Sequence, residues 1–207
     1  MQVMIAIPSH DMVPMRFAGA LAALCAFPGH AFAGTPEINI LLNTYVYDAR
    51  ERLAEQAVAS GASHVLWIDS DMTFPRDALL RLLTHDVAMV GINYSTRVSP
   101  PVFVAKANGA RVRTSGGSTG LQEVEGVGFG LVLMRTIVLE MTMDAGAPIF
   151  GPKWIPERKQ FMGEDFAFCE RARAAGVAIY VDHDLSKECA HIGAREFRTS
   201  DALEATA

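Results

Sequence analysis

The chain is poor in cysteine, in positive charge and in long apolar runs, and each shortage excludes a class of protein. Its 207 residues include only three cysteines, Cys25, Cys169 and Cys189, which form neither a zinc-ligand spacing nor a disulfide framework. The formal net charge is −5, so the chain as a whole has no bulk electrostatic attraction to nucleic acid or to an anionic membrane. A reducing cytosol is therefore the expected compartment.

The longest apolar stretch, residues 17–27, has a pattern that imitates a signal peptide. Arg16 precedes it, and an Ala-Phe-Ala triplet at 31–33 resembles a cleavage site. We interpret the stretch instead as a buried first helix, because a strand-like run at 3–7 and a turn containing Asp11 come before it. The stretch is also too short to span a bilayer. These features predict a cytoplasmic protein without stable membrane insertion.

Apolar runs alternate with amphipathic stretches through the first half of the chain. Strand patterns cover residues 3–7, 37–42, 64–68 and 87–92, and helix patterns cover residues 48–60, which Gly61 closes, and 75–84. This βαβαβαβ order predicts a parallel sheet covered by helices on both faces. A hydrophobic content of 50% agrees with a packed α/β protein rather than a disordered chain.

The pattern changes near residue 99, where two prolines interrupt it. The later segments are a short strand at 102–106, a glycine- and serine-rich tip or lid at 114–120, a glycine-containing apolar strand at 127–134, a helix at 163–175, a strand at 178–181 and a polar tail after 197. Neither an internal repeat nor a clean domain boundary is visible in the sequence.

The most informative stretch is Asp69-Ser70-Asp71, which ends the apolar run 65–68. In open α/β sheets, ligands bind outside the carboxyl ends of the strands. If the strand continues, Asp69 and Asp71 point to the same side of the sheet. Two carboxylates on one side suit Mg²⁺ or Mn²⁺, and such an ion suits a diphosphate. The simpler interpretation is a solvated turn that caps the next helix.

Two further groups of residues can carry chemistry. Glu164 and Asp165 open a helix, where they either complement its dipole or place a carboxylate near a reacting hydroxyl. His191 follows the last strand, where it is either structural or a ligand that completes the coordination of an ion bound by Asp71. The acidic cluster at 182–184 is interpreted as a solvated turn.

The order of these motifs resembles that of the GT-A glycosyltransferases, especially the family 2-like proteins and their short phage-encoded relatives. The resemblance covers about residues 2–193. It implies a Rossmann-type sandwich with a mostly parallel sheet, and metal-dependent transfer of a sugar from a nucleotide-diphosphate sugar, expected to be a UDP-sugar, to a hydroxyl. The whole chain, 1–207, would be one catalytic domain with a nucleotide-binding half (1–98), an acceptor and catalytic half (99–195) and a tail (196–207).

The resemblance also implies which residues bind the donor, the metal and the acceptor. The residues expected around the nucleotide and its sugar are Pro8, Ser9, Asn43, Arg50, Asp69, Ser70, Gly128 and Gly130. Asp71 and His191 are expected to hold Mn²⁺ or Mg²⁺, with Asp69 near the ribose and as a further candidate ligand. Glu164 and Asp165 are the expected catalytic pair. Asp165 is the base if the reaction inverts configuration, whereas both acids hold the sugar or the acceptor if it retains configuration.

The acceptor is not specified by the sequence. A glycan, a small molecule and a modified nucleic acid base are all compatible with the resemblance, and the phage-encoded relatives make a hydroxylated nucleobase worth testing. A local basic rim for nucleic acid would come from Arg97, Lys106, Arg111 and Arg113, although scattered solvated charges explain the same residues.

Other classes of protein fit part of the pattern. In a haloacid-dehalogenase-type phosphatase, Asp69 would attack phosphate and Asp71 would be the acid. That motif normally lies on the first strand, however, and its lysine and acidic pair are farther apart than Lys159 and Asp165. A sugar-nucleotide pyrophosphorylase needs a glycine-rich basic loop that residues 8–14 lack. A nucleotide-sugar-binding protein without catalysis would result if the metal site were vestigial.

Overall fold

The structure is a computed structural model that describes residues 1–28, 37–42, 45–143, 147–194 and 196–202. The strands are β1 (Val3–Ser9), β2 (Glu37–Leu42), β3 (His64–Ile68), β4 (Met72–Thr73), β5 (Met89–Gly91), β6 (Lys106–Ala107), β7 (Ala110–Arg111), β8 (Leu121–Val124), β9 (Leu131–Arg135), β10 (Lys153–Ile155), β11 (Gln160–Met162), β12 (Ile179–Asp182), β13 (Ala190–Ile192) and β14 (Glu196–Phe197). The helices are α1 (Met15–Cys25), α2 (Val46–Ser60), α3 (Ala78–Thr84), α4 (Ile137–Thr142), α5 (Glu164–Ala174) and α6 (His183–Glu188).

A seven-stranded sheet in the order β2-β1-β3-β9-β5-β12-β8 forms the centre of the molecule. Strands β2, β1, β3, β5 and β12 run in one direction, whereas β9 and β8 run against it. The prediction of a mostly parallel central sheet is therefore confirmed. Strand β9 can sit between β3 and β5 because its first four residues are all buried, as a strand covered on both faces requires.

Helices and loops cover both faces of this sheet. Every residue of β1 is buried, and its side chains divide between two cores: Met4 and Ala6 join one, while Val3, Ile5 and Ile7 join the other. The first core contains α2, α4 and α5, and the second contains α1 and α3. This division follows from the alternation of side chains along a strand. It confirms the predicted sandwich.

Two helices differ from their predictions. The expected buried first helix is instead a surface helix, because α1 buries only Phe17 and Leu24 and leaves Met15 exposed. Helix α3 begins at Ala78 rather than at Pro75, and Asp77 is its N-cap residue. Across the ranges described here, the helices all fall short of the length and apolar character that crossing a membrane requires.

The segment 114–120 is not a free tip or lid, because α6 holds it in place. The Gly120 N–H donates to the Asp184 carboxylate at 2.8 Å, and the Lys187 ammonium donates to the Ser118 carbonyl at 2.8 Å. The segment also does not line the cavity described below. The predicted tip or lid at 114–120 is therefore tied to α6 by hydrogen bonds rather than free.

The prediction of a solvated turn at residues 182–184 is also wrong. Asp182 and His183 are buried and begin α6. The Asp182 carboxylate accepts a hydrogen bond from the Leu185 N–H at 2.9 Å, which caps the helix in the usual way. His183 is held between two side chains from distant parts of the sequence, as discussed below.

Candidate active site

A cavity of about 310 Å³ opens at the carboxyl ends of β1 and β3, where open α/β sheets bind their ligands. Its lining residues are Pro8, Ser9, His10, Val46, Ala49, Arg50, Asp69, Ser70, Asp71, Arg97, Glu164, Asp165 and His191. The structure thus brings together the predicted site residues apart from Gly128 and Gly130, which lie elsewhere, and Asn43, which falls outside the described residues.

Gly128 and Gly130 support the site from behind instead of lining it. A Cβ atom at Gly128 would lie 2.4 Å from the Tyr94 hydroxyl, and one at Gly130 would lie 2.8 Å from the Tyr94 ring. The two glycines therefore make room for Tyr94 in the core. The Tyr94 ring in turn meets the His191 ring edge-on, with centroids 5.2 Å apart, so this packing helps to orient His191.

Arg50 is the cation at the floor of the cavity. It lies in the second turn of α2, is only 3% exposed, and its guanidinium carbon lies 4.9 Å from the centroid of the Phe129 ring. Its Nη2 donates to Asp69 Oδ1 at 2.7 Å, and its Nη1 lies 3.8 Å from Glu164 Oε1. Burial lowers the pKa of Arg50, but the charges of Asp69 and Glu164 outweigh it and leave that pKa above its ordinary value.

Asp69 occupies the turn that follows β3, where its N–H donates to the Gly130 carbonyl at 3.1 Å. The strand does not continue through Asp71, because the Met72 N–H donates back to the Asp69 carbonyl and closes a turn. Both carboxylates nevertheless line the same cavity. Burial raises the pKa of Asp69, and the opposing charge of Arg50 does not cancel this effect.

Several donors in the cavity have no hydrogen-bond partner among the described residues. These are Nε and Nη1 of Arg50 and the hydroxyl of Ser9, all of which are buried. The Nε1 of Trp67 and the hydroxyl of Thr136 are also unpartnered, but neither residue lines the cavity. A buried polar group left without a partner costs about 1–3 kcal/mol. Two residues that line the cavity, Arg50 and Ser9, therefore keep donors whose hydrogen-bonding capacity no described residue fills.

Asp71 and His191 meet because β13 pairs with β4, which places His191 opposite Met72. The Ile192 N–H donates to the Asp71 carbonyl at 2.7 Å and fixes this register. His191 Nδ1 lies 3.2 Å from the Ser95 carbonyl, which can only accept, so Nδ1 carries the hydrogen. Nε2 then faces Asp71 Oδ1, 3.4 Å away. It donates a hydrogen bond to that carboxylate when the ring is protonated, and in the neutral ring its lone pair is free for a cation that binds between the two groups.

Asp71 and His191 have the ligand types that suit a divalent cation, a carboxylate and an imidazole nitrogen. The Ser95 carbonyl, bonded to Nδ1, orients the histidine as such second partners do in known metal sites. Within the part of the chain that the structure describes, no cluster of three or more His, Cys, Asp or Glu side chains is placed to hold a metal. Asp69 is held by Arg50 instead, so its place among the metal ligands stays a prediction. Mg²⁺ is commonly bound through about one or two carboxylates together with water and phosphate oxygens. Asp71 and His191 would hold such an ion only in the company of ligands of that kind.

The charge of the cavity favours the same ion. Four carboxylates and two guanidinium groups line it, which is a formal net charge of −2 with the histidines neutral. Burial raises the pKa of Asp71, but the hydrogen bond and the charge of His191 in its protonated form, together with the charge of Arg97, outweigh burial and leave that pKa below its ordinary value. An anionic ligand is repelled by this field unless a divalent cation enters with it.

Asp165 lies in the first turn of α5 and accepts a hydrogen bond from the Phe166 N–H at 2.7 Å. Burial raises its pKa to about 6 and the charge of Glu164 adds to the shift, while the charge of Arg50 opposes it. Gly163, two residues earlier, leaves room for this carboxylate, because a Cβ atom at position 163 would lie 2.9 Å from Asp165 Oδ1. A carboxylate whose pKa lies near the working pH is suited to general base catalysis.

Four lining residues were not predicted from the sequence as part of the site: His10, Val46, Ala49 and Arg97. Arg97 follows β5, whose carboxyl end lies at the same edge of the sheet as that of β3; this is the signal that could have found it. Lys106 does not share the cavity with Arg97, because it lies over the Phe166 ring at 4.7 Å and lines a different pocket.

Comparison of the chain with family models and with curated proteins gives no match. Among solved structures, the chain is similar to A197 from STIV, with a TM-score of 0.64 and 16% sequence identity over 100% of this chain and 97% of that chain. It is also similar to GalNAc-T7 solved with UDP, GalNAc and Mn²⁺, with a TM-score of 0.55 and 9% identity over 88% of this chain and 42% of that chain. Identities this low show the fold alone, and the predicted GT-A-like fold is confirmed.

Proposed function

We propose that this chain is a metal-dependent glycosyltransferase that moves a sugar from a nucleotide-diphosphate sugar to a hydroxyl acceptor. The observation that carries the proposal is the pairing of Asp71 with His191, across 3.4 Å, in a cavity of net formal charge −2. A fold shared with a glycosyltransferase supports it, but a fold alone does not establish an activity.

The charge of the cavity supports a diphosphate donor together with Mn²⁺ or Mg²⁺. Asp71 and His191 would hold the ion, which when bound would act as a Lewis acid toward the departing diphosphate. GalNAc-T7 was solved with UDP and Mn²⁺, so a UDP-sugar and Mn²⁺ are the first pair to test.

The chain's own residues would place and activate the substrates. Arg50 and Ser9 line the cavity and would contact the nucleotide-sugar, and Asp69, held by Arg50, would face the ribose. Asp165 would accept the proton of the acceptor hydroxyl, because a group with a pKa of about 6 is mostly ionised at neutral pH. Glu164 would position the sugar or the acceptor. If the reaction retains configuration, Asp165 shares this positioning role instead.

The acceptor could be a glycan, a small molecule or a modified nucleic acid base, and a cytoplasmic location stays a prediction. The phosphatase alternative has less support. Asp69 would be its nucleophile, but that carboxylate is bound to Arg50 at 2.7 Å. No lysine is present among the described residues that line the cavity, and Lys159 lies outside that lining.

The experiment is a donor screen by mass spectrometry, with a panel of nucleotide-sugars and Mn²⁺. We expect slow hydrolysis of one donor to its nucleoside diphosphate, which chelation of the metal stops and Asp71→Asn abolishes. Donor binding without any turnover would instead favour a non-catalytic binding protein. Cleavage of p-nitrophenyl phosphate that Asp69→Asn abolishes would favour the phosphatase.

A further inference from the structure

Arg97 forms an ion pair with Asp71, the carboxylate that the proposed metal site needs. Its Nη1 lies 2.8 Å from Asp71 Oδ2, on the oxygen opposite to the one that faces His191. A longer contact of 3.4 Å joins the same Nη1 to the Ile192 carbonyl. The structure thus places a cation, the Arg97 guanidinium, on Asp71.

The geometry allows this side chain to lie flat along the wall of the cavity. A Cβ atom at position 193 would come within 3.1 Å of Arg97 Cδ and 3.3 Å of its Cγ. Gly193 therefore leaves space for the aliphatic part of Arg97, which places the guanidinium beside Asp71.

The two arginines of the cavity differ in their freedom to move. The Arg50 side chain is 4% exposed and is packed over Phe129, so it cannot leave its carboxylates without opening the core. The Arg97 side chain is 50% exposed and is held mainly by a single ion pair. Of the two, only Arg97 can exchange its partner at low cost, because an exposed ion pair contributes little free energy.

We infer, on the basis of the proposed function, that Arg97 acts as a counter-cation of Asp71. When the metal binds, the guanidinium leaves Asp71 and pairs with the donor's diphosphate. Without nucleotide, the guanidinium competes with the metal for Asp71. With nucleotide, the displaced guanidinium stays at the cavity, where its fork of donors matches phosphate oxygens. Arg97 would therefore couple the two ligands: it opposes binding of the metal alone and favours binding of the metal with a diphosphate.

This coupling predicts effects of opposite sign in a single variant. In Arg97→Gln, the affinity for Mn²⁺ alone should rise by up to about fivefold, the value of an exposed ion pair. The affinity for Mn²⁺ at saturating UDP should fall by about tenfold or more, because a charge-assisted bond to phosphate is lost. Both affinities can be read from the electron paramagnetic resonance signal of free Mn²⁺, which needs no enzymatic turnover.

Arg135→Gln is a matched control at the opposite edge of the sheet. Its side chain is 42% exposed and pairs with Asp86 at 2.7 Å, so it resembles Arg97 in exposure and pairing but lies away from the cavity. It should change neither affinity, and thermal melts should show that both variants are folded. Arg97→Lys, which keeps the charge but loses the fork, should restore part of the affinity at saturating UDP.

An Arg97→Gln variant whose two Mn²⁺ affinities change in the same direction, or not at all, overturns the inference. If the wild-type chain binds UDP with Mn²⁺ in that experiment, the proposed function survives and only the exchange is wrong. If the wild-type chain shows no Mn²⁺ binding with UDP, both fail together.

Discussion

Two clusters of polar side chains, each containing a histidine and an aspartate, lie in this molecule, and they differ in how completely they are bonded. The inner cluster consists of Asn93, Thr114, Gln122, Asp182 and His183. His183 Nδ1 lies 2.8 Å from the Thr114 hydroxyl, and its Nε2 lies 2.9 Å from Gln122 Oε1. Asn93 donates to Thr114 and accepts from the Ala105 N–H. Asp182 caps α6 and pairs with His85.

The polar groups of the cavity are bonded less completely than those of the inner cluster. Arg50 and Ser9 keep unpartnered donors, Asp71 and His191 face each other across a gap, and carboxylates outnumber guanidinium groups. The comparison teaches that burial and polarity alone do not mark a functional site. The inner cluster stabilises the fold because its bonds are complete, whereas the cavity retains unsatisfied groups and excess charge that a ligand can neutralise.

The largest effect that would sharpen this comparison is the loss of transfer in Asp165→Asn. If Asp165 positions or deprotonates the acceptor, the rate should fall by about 10²–10⁴-fold, with UDP and Mn²⁺ binding retained. Single-turnover kinetics with the donor found by the screen would measure the rate. Near wild-type transfer would reduce Asp165 to a charge at the end of a helix and shift the catalytic assignment to Glu164.

The next effect concerns the buried cation. Arg50→Gln leaves Asp69, Glu164 and Asp165 without their shared positive charge, so donor affinity should fall by roughly 10–100-fold, the cost of losing a charged hydrogen bond. Because Arg50 lowers the pKa of Asp165, the acid limb of the pH–rate profile should also move to higher pH. Arg50→Lys, which keeps the charge, should show a smaller shift of that limb. An unmoved acid limb in Arg50→Gln would separate Arg50 from Asp165.

His183→Ala tests whether the inner cluster contributes stability rather than ligand affinity. Thr114 and Gln122 would lose their partner, so the free energy of unfolding should fall by about 1–3 kcal/mol, or about 2–4 °C in melting temperature per kcal/mol. Affinity for UDP with Mn²⁺ should not change. A loss of that affinity with stability intact would mean that the inner cluster also belongs to the site and would break the comparison.

The smallest effect is a gain of stability in Asp165→Asn. The pKa of Asp165 is raised from 3.8 to about 6, so its ionisation destabilises the native state, and stability contributed by the protonated form is lost as the pH rises between those values. Asparagine removes this cost, which after allowance for partial exposure is about 1–2 kcal/mol. Thermal melts should show stabilisation above about pH 6 that disappears near about pH 4. Destabilisation at neutral pH would contradict the raised pKa.

Local patterns were enough to predict much of the fold. The predicted strand 64–68 coincides with β3, and the predicted helix 163–175 matches α5 to within a residue at each end. The predicted helix 48–60 forms with two more residues at its start and ends at Gly61, whose φ of 70° suits glycine. These elements were predictable because their apolar spacing and end residues are local properties of the chain.

The bonding state of the polar residues could not be predicted in the same way. Asp182 and His183 read as a solvated turn because their partners, His85, Thr114 and Gln122, are far away in the sequence. The position of Arg97 after β5 indicates only the edge of the sheet, and its contact with Asp71 depends on the path of the chain after β5, which has no regular period. The residues of the cavity were named from the order of their motifs, whereas their pairing into Arg50–Asp69 and Arg97–Asp71 needed the structure.

The most direct test of the account is a calorimetric titration of UDP into the chain with Mn²⁺ and with a chelator, on the wild type and on Asp71→Asn. We expect UDP to bind the wild type only when Mn²⁺ is present, because a cavity of charge −2 repels a diphosphate on its own. Asp71→Asn should lose this binding while its melting temperature shows an intact fold. Equal UDP affinity with chelator and with Mn²⁺, or in both proteins, would contradict a metal-dependent donor site at Asp71 and His191.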